Sequence, residues 1–463
     1  MKLVIFGAGK YYLNRKEQLF RLCEEAEIVC YIDNKADENT IFEGRKVLKP
    51  YQLNNIIYDK ILLMSKNYLE MRSQLIALGC LEESIWTWDQ FICEMSHGKF
   101  QFFGGESGYK KGRSILIIST DLGYNGGSIA AAYAAKELSN RYEVVLAAPR
   151  GDIKFVKEMV AYGISILICP AIPYLGNEEI HIIKKFDVII VNVFQLLPVV
   201  CQVSKLCPTF WWIHEPKHFY KQVFAKYPQY ENVNSFKKVN IKAVSKIAQS
   251  GFNSYYPQRI FDTMAYGIPD MGICERHERK TITFALVGAV IENKAQDIYI
   301  QAAKLLDTPI DISFRIIGSI GEDNYCNKIR HLVENDMRFK IEGKCTREEM
   351  AKIYREIDVV VCPSWEDSLP IVMTESMMYG KVCIASDKTG TADFIEDGVN
   401  GLICKAGDVA NLSSKMQWIL DNTDKLDEMG RKARKTYEEH FTMDKFSNRL
   451  EAAIQETIEM YGE

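Results

Sequence analysis

The stretch Val359-Val-Val-Cys-Pro-Ser-Trp-Glu-Asp-Ser-Leu-Pro-Ile-Val-Met-Thr-Glu375 decides how the rest of the chain is read. A short apolar strand runs into a Pro-Ser turn. Two carboxylates follow, Asp367 and Glu375, with a pattern between them that suits a loop turning into a helix. A carboxylate at a strand end and another in the next helix can both face a polyhydroxylated ligand. Beyond them lie Thr389-Gly-Thr-Ala-Asp393 and Asp397-Gly-Val-Asn-Gly401. Small residues ahead of a helix, here expected to begin near Asp393, can offer bare N–H groups to phosphate. A sugar joined through a diphosphate to a nucleoside needs that pairing of features.

Working outward, the apolar strand candidates Thr281–Val287, Phe314–Ile317, Phe339–Glu342, Val359–Cys362 and Val382–Ala385 alternate with helical segments. A second such block carries Ser114–Ser119, Glu143–Ala147, Ile164–Ile168, Val188–Val191, Phe210–Ile213 and Ile241–Val244. Near-continuous apolar strands separated by helices mean parallel sheets covered on both faces. A third, smaller α/β unit occupies residues 1–97, with strands Lys2–Phe6, Ile28–Ile32 and Lys60–Met64. The expected organisation is a Rossmann-like module at 1–97 and a glycine-rich linker at 98–113. Two doubly wound parallel-sheet domains follow, at 114–275 and 276–440, with a hinge near Pro269 to Lys280. A C-terminal amphipathic helix at 441–463 is expected to pack back on the first of these two domains. Two such domains joined by a hinge imply a cleft, and ligands bind outside the carboxyl ends of the strands.

The bulk numbers agree with a globular α/β protein. The 463 residues allow roughly two to four domains, and 47% are hydrophobic and 25% charged. A net charge of -4 gives no reason to expect nucleic-acid binding. The 13 cysteines form no C-x-x-C pair and read as reduced thiols in a cytoplasmic protein. Neither a signal peptide nor a membrane span is expected, although peripheral contact with the inner face of the membrane remains compatible with the sequence.

Other segments place polar groups at strand ends. Lys294, in Gly288-Ala-Val-Ile-Glu-Asn-Lys294, follows a strand and can meet a diphosphate as a point charge. Tyr124-Asn-Gly-Gly-Ser128 precedes an alanine-rich helix, where Gly126 and Gly127 let backbone approach a ligand. A tight strand-to-helix turn accounts for them equally well. His214, in Phe210-Trp-Trp-Ile-His-Glu-Pro216, ends a strand and can bond a sugar hydroxyl. Tyr124, Glu215, Phe219 and Tyr220 are acceptor-side candidates within or beside an aromatic segment whose plainer reading is a helix packing its apolar face. In the first module, Gly7-Ala-Gly9 and Asp33 look like part of a dinucleotide fingerprint. Tyr12 stands where the third glycine belongs, so NAD is not expected there and no cofactor is assigned.

These residues resemble a known family. Residues 114 onward resemble a GT-B glycosyltransferase of the retaining family 4 type, the glycosyl transferases group 1. The ordered motifs are Val287-Gly-Ala to Lys294, Phe339-Lys-Ile-Glu-Gly343, Cys362-Pro-Ser-Trp-Glu-Asp-Ser-Leu-Pro to Glu375, Ala385-Ser-Asp387 with Gly390, and Asp397-Gly-Val-Asn-Gly401. The resemblance implies that Asp367 lies near the donor sugar, Glu375 binds the nucleoside ribose, and Lys294 binds the diphosphate. It places Gly126, Gly127, Gly288, Gly343, Ser368, Leu369, Pro370, Thr389, Gly390 and Thr391 around the donor and His214 in the cleft. It further implies metal-independent transfer with retained anomeric configuration, from a UDP- or GDP-sugar to a glycan, lipid-linked or protein acceptor in polysaccharide or glycoconjugate biosynthesis. Two departures stand out. The first acid of the pair is Asp rather than Glu, and the family's phosphate-binding arginine is Ala289 here. The second departure keeps open a non-catalytic or impaired scaffold subunit of a glycan-assembly complex. The first module resembles small Rossmann-like units fused to sugar-biosynthetic enzymes, and docking to a partner or a second copy of the chain is expected of it.

Overall fold

Runs of Val, Ile and Leu build three parallel-stranded sheets in the computed structural model. It describes residues 1–104, 112–227, 230, 236, 238–257, 259, 261–273 and 281–462. The first sheet holds β1 (Lys2–Phe6), β2 (Glu27–Ile32), β3 (Ile41–Phe42), β4 (Arg45–Leu48), β5 (Lys60–Leu63) and β6 (Ile85–Thr87), in the order β3-β4-β2-β1-β5-β6. Only the β3–β4 hairpin is antiparallel. Alternate residues of β1 point to opposite faces. Leu3 and Ile5 therefore enter one apolar cluster, and Val4 and Phe6 enter another on the far side.

The second sheet contains β7 (Gln101–Phe103), β8 (Ser114–Ile118), β9 (Glu143–Ala148), β10 (Ser165–Ile168), β11 (Val188–Asn192), β12 (Thr209–Ile213) and β13 (Val239–Ala243). Their order is β13-β12-β11-β8-β9-β10-β7. β7 corrects the expected linker. Gln101–Phe103 pairs antiparallel with β10 as an edge strand, because Phe103 can cover an apolar edge that water would otherwise meet. Residues 105–111 of that segment lie outside the described residues, as do 274–280 of the expected hinge.

The third sheet, β14 (Thr281–Val287), β15 (Asp311–Ile317), β16 (Phe339–Glu342), β17 (Val359–Cys362), β18 (Val382–Ser386) and β19 (Leu402–Cys404), has the order β16-β15-β14-β17-β18-β19 and is wholly parallel. It is the sheet of the C-terminal lobe, the donor lobe of the expectation above, and the second sheet is that of the lobe expected to take the acceptor. Chain crossings tie the two together. Ile268 N–H donates to the Phe441 carbonyl at 2.9 Å, and Tyr437 OH donates to the Ile268 carbonyl at 3.0 Å. The terminal helix Met443–Gly462 lies against β12, β13 and the helix Gly126–Leu138, where Asn240 Nδ2 donates to Ala453 O at 2.9 Å. No described helix is long and apolar enough to cross a membrane.

The first module is docked on the acceptor lobe. The Cys93 thiol donates to Pro170 O at 3.0 Å, and Lys226 pairs with Asp89 at 2.9 Å. Glu179 accepts from Gly98 N–H at 2.9 Å and lies 3.0 Å from His97 Nδ1. In the fingerprint-like loop, both Asp33 oxygens are already engaged, with Ala8 N–H at 3.2 Å and Lys35 N–H at 2.9 Å. Tyr12 is fully buried.

Candidate active site

The loops after the carboxyl ends of β14, β17 and β18 converge on one corner of the donor lobe. Lys294 ends a short 3₁₀ turn, Glu292–Lys294, after β14, and its ammonium forms an ion pair with Asp367. Burial alone would depress the lysine, but the neighbouring carboxylate outweighs it and pushes its pKa up to about 12. The charge is therefore permanent across the working pH range. Gly288 sits at φ 153°, a conformation a side chain rarely adopts, and a Cβ there would point at the Lys294 stem.

Asp367 is fixed from its backbone. Its N–H donates to Lys388 O at 3.0 Å, and its carbonyl accepts from Gly390 N–H at 2.9 Å. Ser368 and Leu369 are buried, and Ser368 Oγ has no partner among the described residues. Tyr266 OH, from the acceptor lobe, donates to Leu369 O at 2.6 Å. Pro370 caps the helix Ile371–Met378, which carries Glu375. Tyr354 OH donates to Glu375 Oε2 at 2.9 Å, and burial keeps that phenol protonated by raising its pKa.

Thr389, Gly390 and Thr391 differ from the expectation. They begin a 3₁₀ turn, Gly390–Phe394, rather than capping an α-helix, and they are buried. Thr389 N–H donates to Ser386 O and Gly390 N–H to Asp367 O, so these two amides are not bare donors for phosphate. Gly390 is required by packing. A Cβ there would overlap the Ser368 carbonyl and stand 2.5 Å from Ser245 of the acceptor lobe. Gly343 directly follows β16 and is exposed.

The acceptor lobe presents different groups. Asn125 caps the helix Gly126–Leu138 by accepting from Ser128 N–H at 3.0 Å. The first N–H groups of a helix have no partner within it, so the Gly126 and Gly127 amides face outward from its positive end. Buried Asn192 holds this turn, donating to Gly127 O at 3.0 Å and Ser119 Oγ at 3.3 Å. Next to it Val193 has φ 92°, a costly conformation for a β-branched residue. Its N–H donates to Trp212 O at 2.8 Å and its carbonyl accepts from Trp211 Nε1 at 3.0 Å. Strain held this firmly is a feature of functional turns. Neither residue was singled out in the sequence, although an asparagine closing the run Val188-Ile-Ile-Val-Asn192 is the signal that could have found them.

His214 follows β12. Its Nε2 is enclosed and without a partner among the described residues, and burial pulls the ring's pKa down to about 3. The imidazole is therefore neutral, with an unsatisfied nitrogen. Glu215 is corrected from acceptor ligand to structural clamp. Its buried carboxylate accepts from the N–H groups of Phe194 (2.7 Å), His214 (3.1 Å) and Gln195 (3.3 Å), just past the strained Val193. Tyr220 is likewise core, fully buried and stacked on Phe194 with ring centres 3.8 Å apart. Phe224, Tyr227 and Phe236 are buried too, so the aromatic segment is packing rather than a platform. Phe219 stays half-buried, and Tyr124 is 46% exposed.

The lobes touch at both sides of the cleft. His218 Nδ1 lies 2.6 Å from Glu366 Oε2, and Lys246 lies 3.5 Å from Asp393. On the other side, Lys344 lies over the Tyr124 ring, 5.6 Å from its centre.

With this geometry in view, comparison with known proteins places the donor lobe. Residues 275–436 match the family model of the glycosyl transferases group 1, and residues 1–86 match that of the C2185-like N-terminal domain. An uncharacterized glycosyltransferase of Methanocaldococcus jannaschii is 30% identical over 138 residues, covering 29% of this chain and 37% of that protein. The N-acetyl-alpha-D-glucosaminyl L-malate synthase of Bacillus anthracis is 25% identical over 168 residues, 36% of this chain and 42% of that protein. The matched segments thus span about two fifths of these curated relatives. Among solved structures, Anabaena HepE in complex with UDP and glucose superposes with a TM-score of 0.64 at 16% identity, over 74% of this chain and all of that one. The sucrose-phosphate synthase of Thermosynechococcus elongatus gives 0.60 at 14% identity, over 74% and 98%. About three quarters of the chain therefore has the GT-B fold, and residues 275–436 within it match the glycosyl transferases group 1.

Proposed function

We propose that the chain is a retaining, metal-independent glycosyltransferase that moves a sugar from a UDP- or GDP-sugar to a glycan, lipid-linked or protein acceptor in polysaccharide or glycoconjugate biosynthesis. The observation that supports this reading is the ion pair of Lys294 with Asp367 in the loops after β14 and β17, next to the helix that carries Glu375, where Tyr266 of the acceptor lobe bonds Leu369. In this reading Glu375 accepts from the ribose hydroxyls, and Lys294 neutralises charge on the diphosphate. Asp367, held against Lys294, lies beside the sugar. His214, uncharged and half-buried, turns its ring to bond a sugar hydroxyl.

As the glycosidic bond to the diphosphate breaks, negative charge moves onto the leaving phosphate. Preorganised donors there are each worth roughly 3–4 kcal/mol of transition-state stabilisation. Lys294 and the Gly126 and Gly127 amides supply them. Retention follows when the acceptor hydroxyl attacks from the leaving group's own face and gives its proton to the departing phosphate oxygen. The place of action in this reading is the cytoplasm, with peripheral contact at the inner membrane face for a lipid-linked acceptor. The docked N-terminal module serves attachment to a partner or a second copy. The exposed Ala289, where the family has an arginine, favours a second reading as a non-catalytic scaffold subunit. The two are separated by incubating the purified chain with UDP- and GDP-sugars and following release of the nucleoside diphosphate, with and without glycan acceptors. Release points to an enzyme; binding of nucleotide without release points to the scaffold.

A further inference from the structure

The donor site is short of positive charge. A nucleoside diphosphate brings at least two negative charges, while Lys294, the cation paired with Asp367, is already matched by that carboxylate. The other cations along this edge of the two lobes are mostly committed. Lys246 pairs with Asp393 and His218 with Glu366, Arg315 pairs with Glu342 and Glu356, and Lys340 lies 3.5 Å from Glu342. The exposed Ala289 contributes none.

Lys344 is different. It is exposed on the loop after β16, on the same carboxyl edge as Gly288 and Lys294, and has no carboxylate partner among the described residues. The acid two positions before it, Glu342, is taken by Arg315 at 2.6 Å and 2.9 Å. Its ammonium lies over the face of Tyr124, in the acceptor lobe and two residues ahead of Gly126. The Tyr124 ring is itself seated on Phe155, with ring centres 5.3 Å apart, and its OH donates to Glu158 at 3.3 Å, so the ammonium spans from the donor sheet edge to a fixed ring of the acceptor lobe. A cation–π contact at an exposed site is weak, and a lysine on its flexible four-carbon stem can exchange it for a phosphate oxygen.

We propose that Lys344 is the second cation of the donor site. It takes the diphosphate of a nucleoside diphosphate from the loop after β16, with Tyr124 keeping it inside the cleft. This rests on the reading given under Proposed function.

The test is calorimetric titration of the full chain with UDP, GDP, uridine and guanosine. It compares wild type with Lys344→Met and with Lys352→Met. The latter removes an exposed charge from the helix Arg347–Glu356 of the same lobe, and unchanged thermal melting checks the fold of both variants. Loss of a charge-assisted bond to phosphate lowers affinity for the bound diphosphate about ten- to hundredfold in Lys344→Met. The matching nucleoside is unaffected, and Lys352→Met changes diphosphate affinity less than about threefold, as expected for a screened surface charge. Equal diphosphate affinity in Lys344→Met overturns the proposal. So does an equal loss for the nucleoside, which makes Lys344 a mere tie between lobes, or an equal loss in Lys352→Met, which makes the effect one of general charge. A wild-type chain that binds neither diphosphate overturns the glycosyl-transfer reading itself, and this proposal with it.

Discussion

The two lobes face the same cleft with opposite chemistry. The donor lobe presents formal charge, with Lys294 against Asp367 and a carboxylate at Glu375. The acceptor lobe presents dipoles: a neutral imidazole at His214, helix amides at Gly126 and Gly127, and a carboxylate, Glu215, turned inward to hold the backbone. A charged wall suits an anionic handle, which must be gripped before and during bond breaking. A dipolar wall suits hydroxyl groups, which need direction more than charge. The same difference sets how hard each lobe is hit by mutation.

The largest effect is expected at Lys294. Lys294→Ala removes the permanent charge and leaves Asp367 unpaired beside an incoming diphosphate. Transfer should fall by about two to three orders of magnitude, the scale for loss of one preorganised stabilising donor. A steady-state assay that finds wild-type turnover in this variant breaks the assignment of the charged wall.

The dipolar wall is tested through pH. Burial raises Glu215 from 4.5 to about 7, so its share of stability is complete below 4.5 and is lost as pH rises through 7. Burial lowers His214 from 6.5 to about 3, so its share is complete above 6.5 and is lost as pH falls through 3. The two neighbours thus oppose one another between about pH 4.5 and 6.5, each with a slope of up to about 1.4 kcal/mol per pH unit. Single substitutions should unmask the slopes. Relative to wild type, Glu215→Gln becomes more stable with rising pH across that window, and His214→Asn becomes less stable. Glu215→Gln also loses stability at every pH, because an amide oxygen cannot serve all three N–H donors. Thermal melts of the three proteins from pH 4.5 to 7.5 measure this, and parallel curves would show that neither group is buried as described.

The positions of the charged residues were easier to read in the sequence than the directions of the acceptor-lobe side chains. Asp367 and Lys294 stand in loops after the apolar strands β17 and β14, and Glu375 in the helix Ile371–Met378 that follows. In the acceptor lobe the strand ends were equally visible, but direction was not. Glu215 and Tyr220 have residue types suited to sugar binding, yet one caps a backbone turn and the other fills the core against Phe194. Residue type does not encode which way a side chain turns after a strand end. Thr389 and Gly390 failed for a related reason, since amides that look bare in sequence were spent on Ser386 and Asp367. β7 was hidden because an edge strand of three residues between glycines has too few positions to show alternation. Val193 owes its strain to Trp211 and Trp212, contacts that no local pattern reveals.

Glu375 should respond more mildly than Lys294. In Glu375→Gln the amide oxygen can still accept from Tyr354 OH, but the charge-assisted bonds to a ribose are lost. Nucleotide affinity should drop about tenfold, near the lower limit for a hydrogen bond to a charged group, with a smaller change in turnover at saturating donor. Calorimetry with the diphosphate that wild type binds decides this. Unchanged affinity would remove Glu375 from the nucleoside site and leave the charged wall to Lys294 and Asp367 alone.

The smallest effect is expected where the two walls meet. His218 and Glu366 bridge the lobes at 2.6 Å, with side chains 39% and 29% exposed. Ion pairs with that much solvent contribute about 0–1 kcal/mol. The Glu366 loop is held independently, by Asn293 Nδ2 donating to Glu366 O at 2.8 Å and Trp365 N–H donating to Asn293 O at 3.0 Å. His218→Ala should therefore leave Asp367 in place and change the donor KM less than about fivefold, with kcat nearly constant and the remaining effect fading as salt is raised. A fall in kcat as large as that of Lys294→Ala would mean that lobe contact at this rim, rather than charge on the donor wall, governs the reaction.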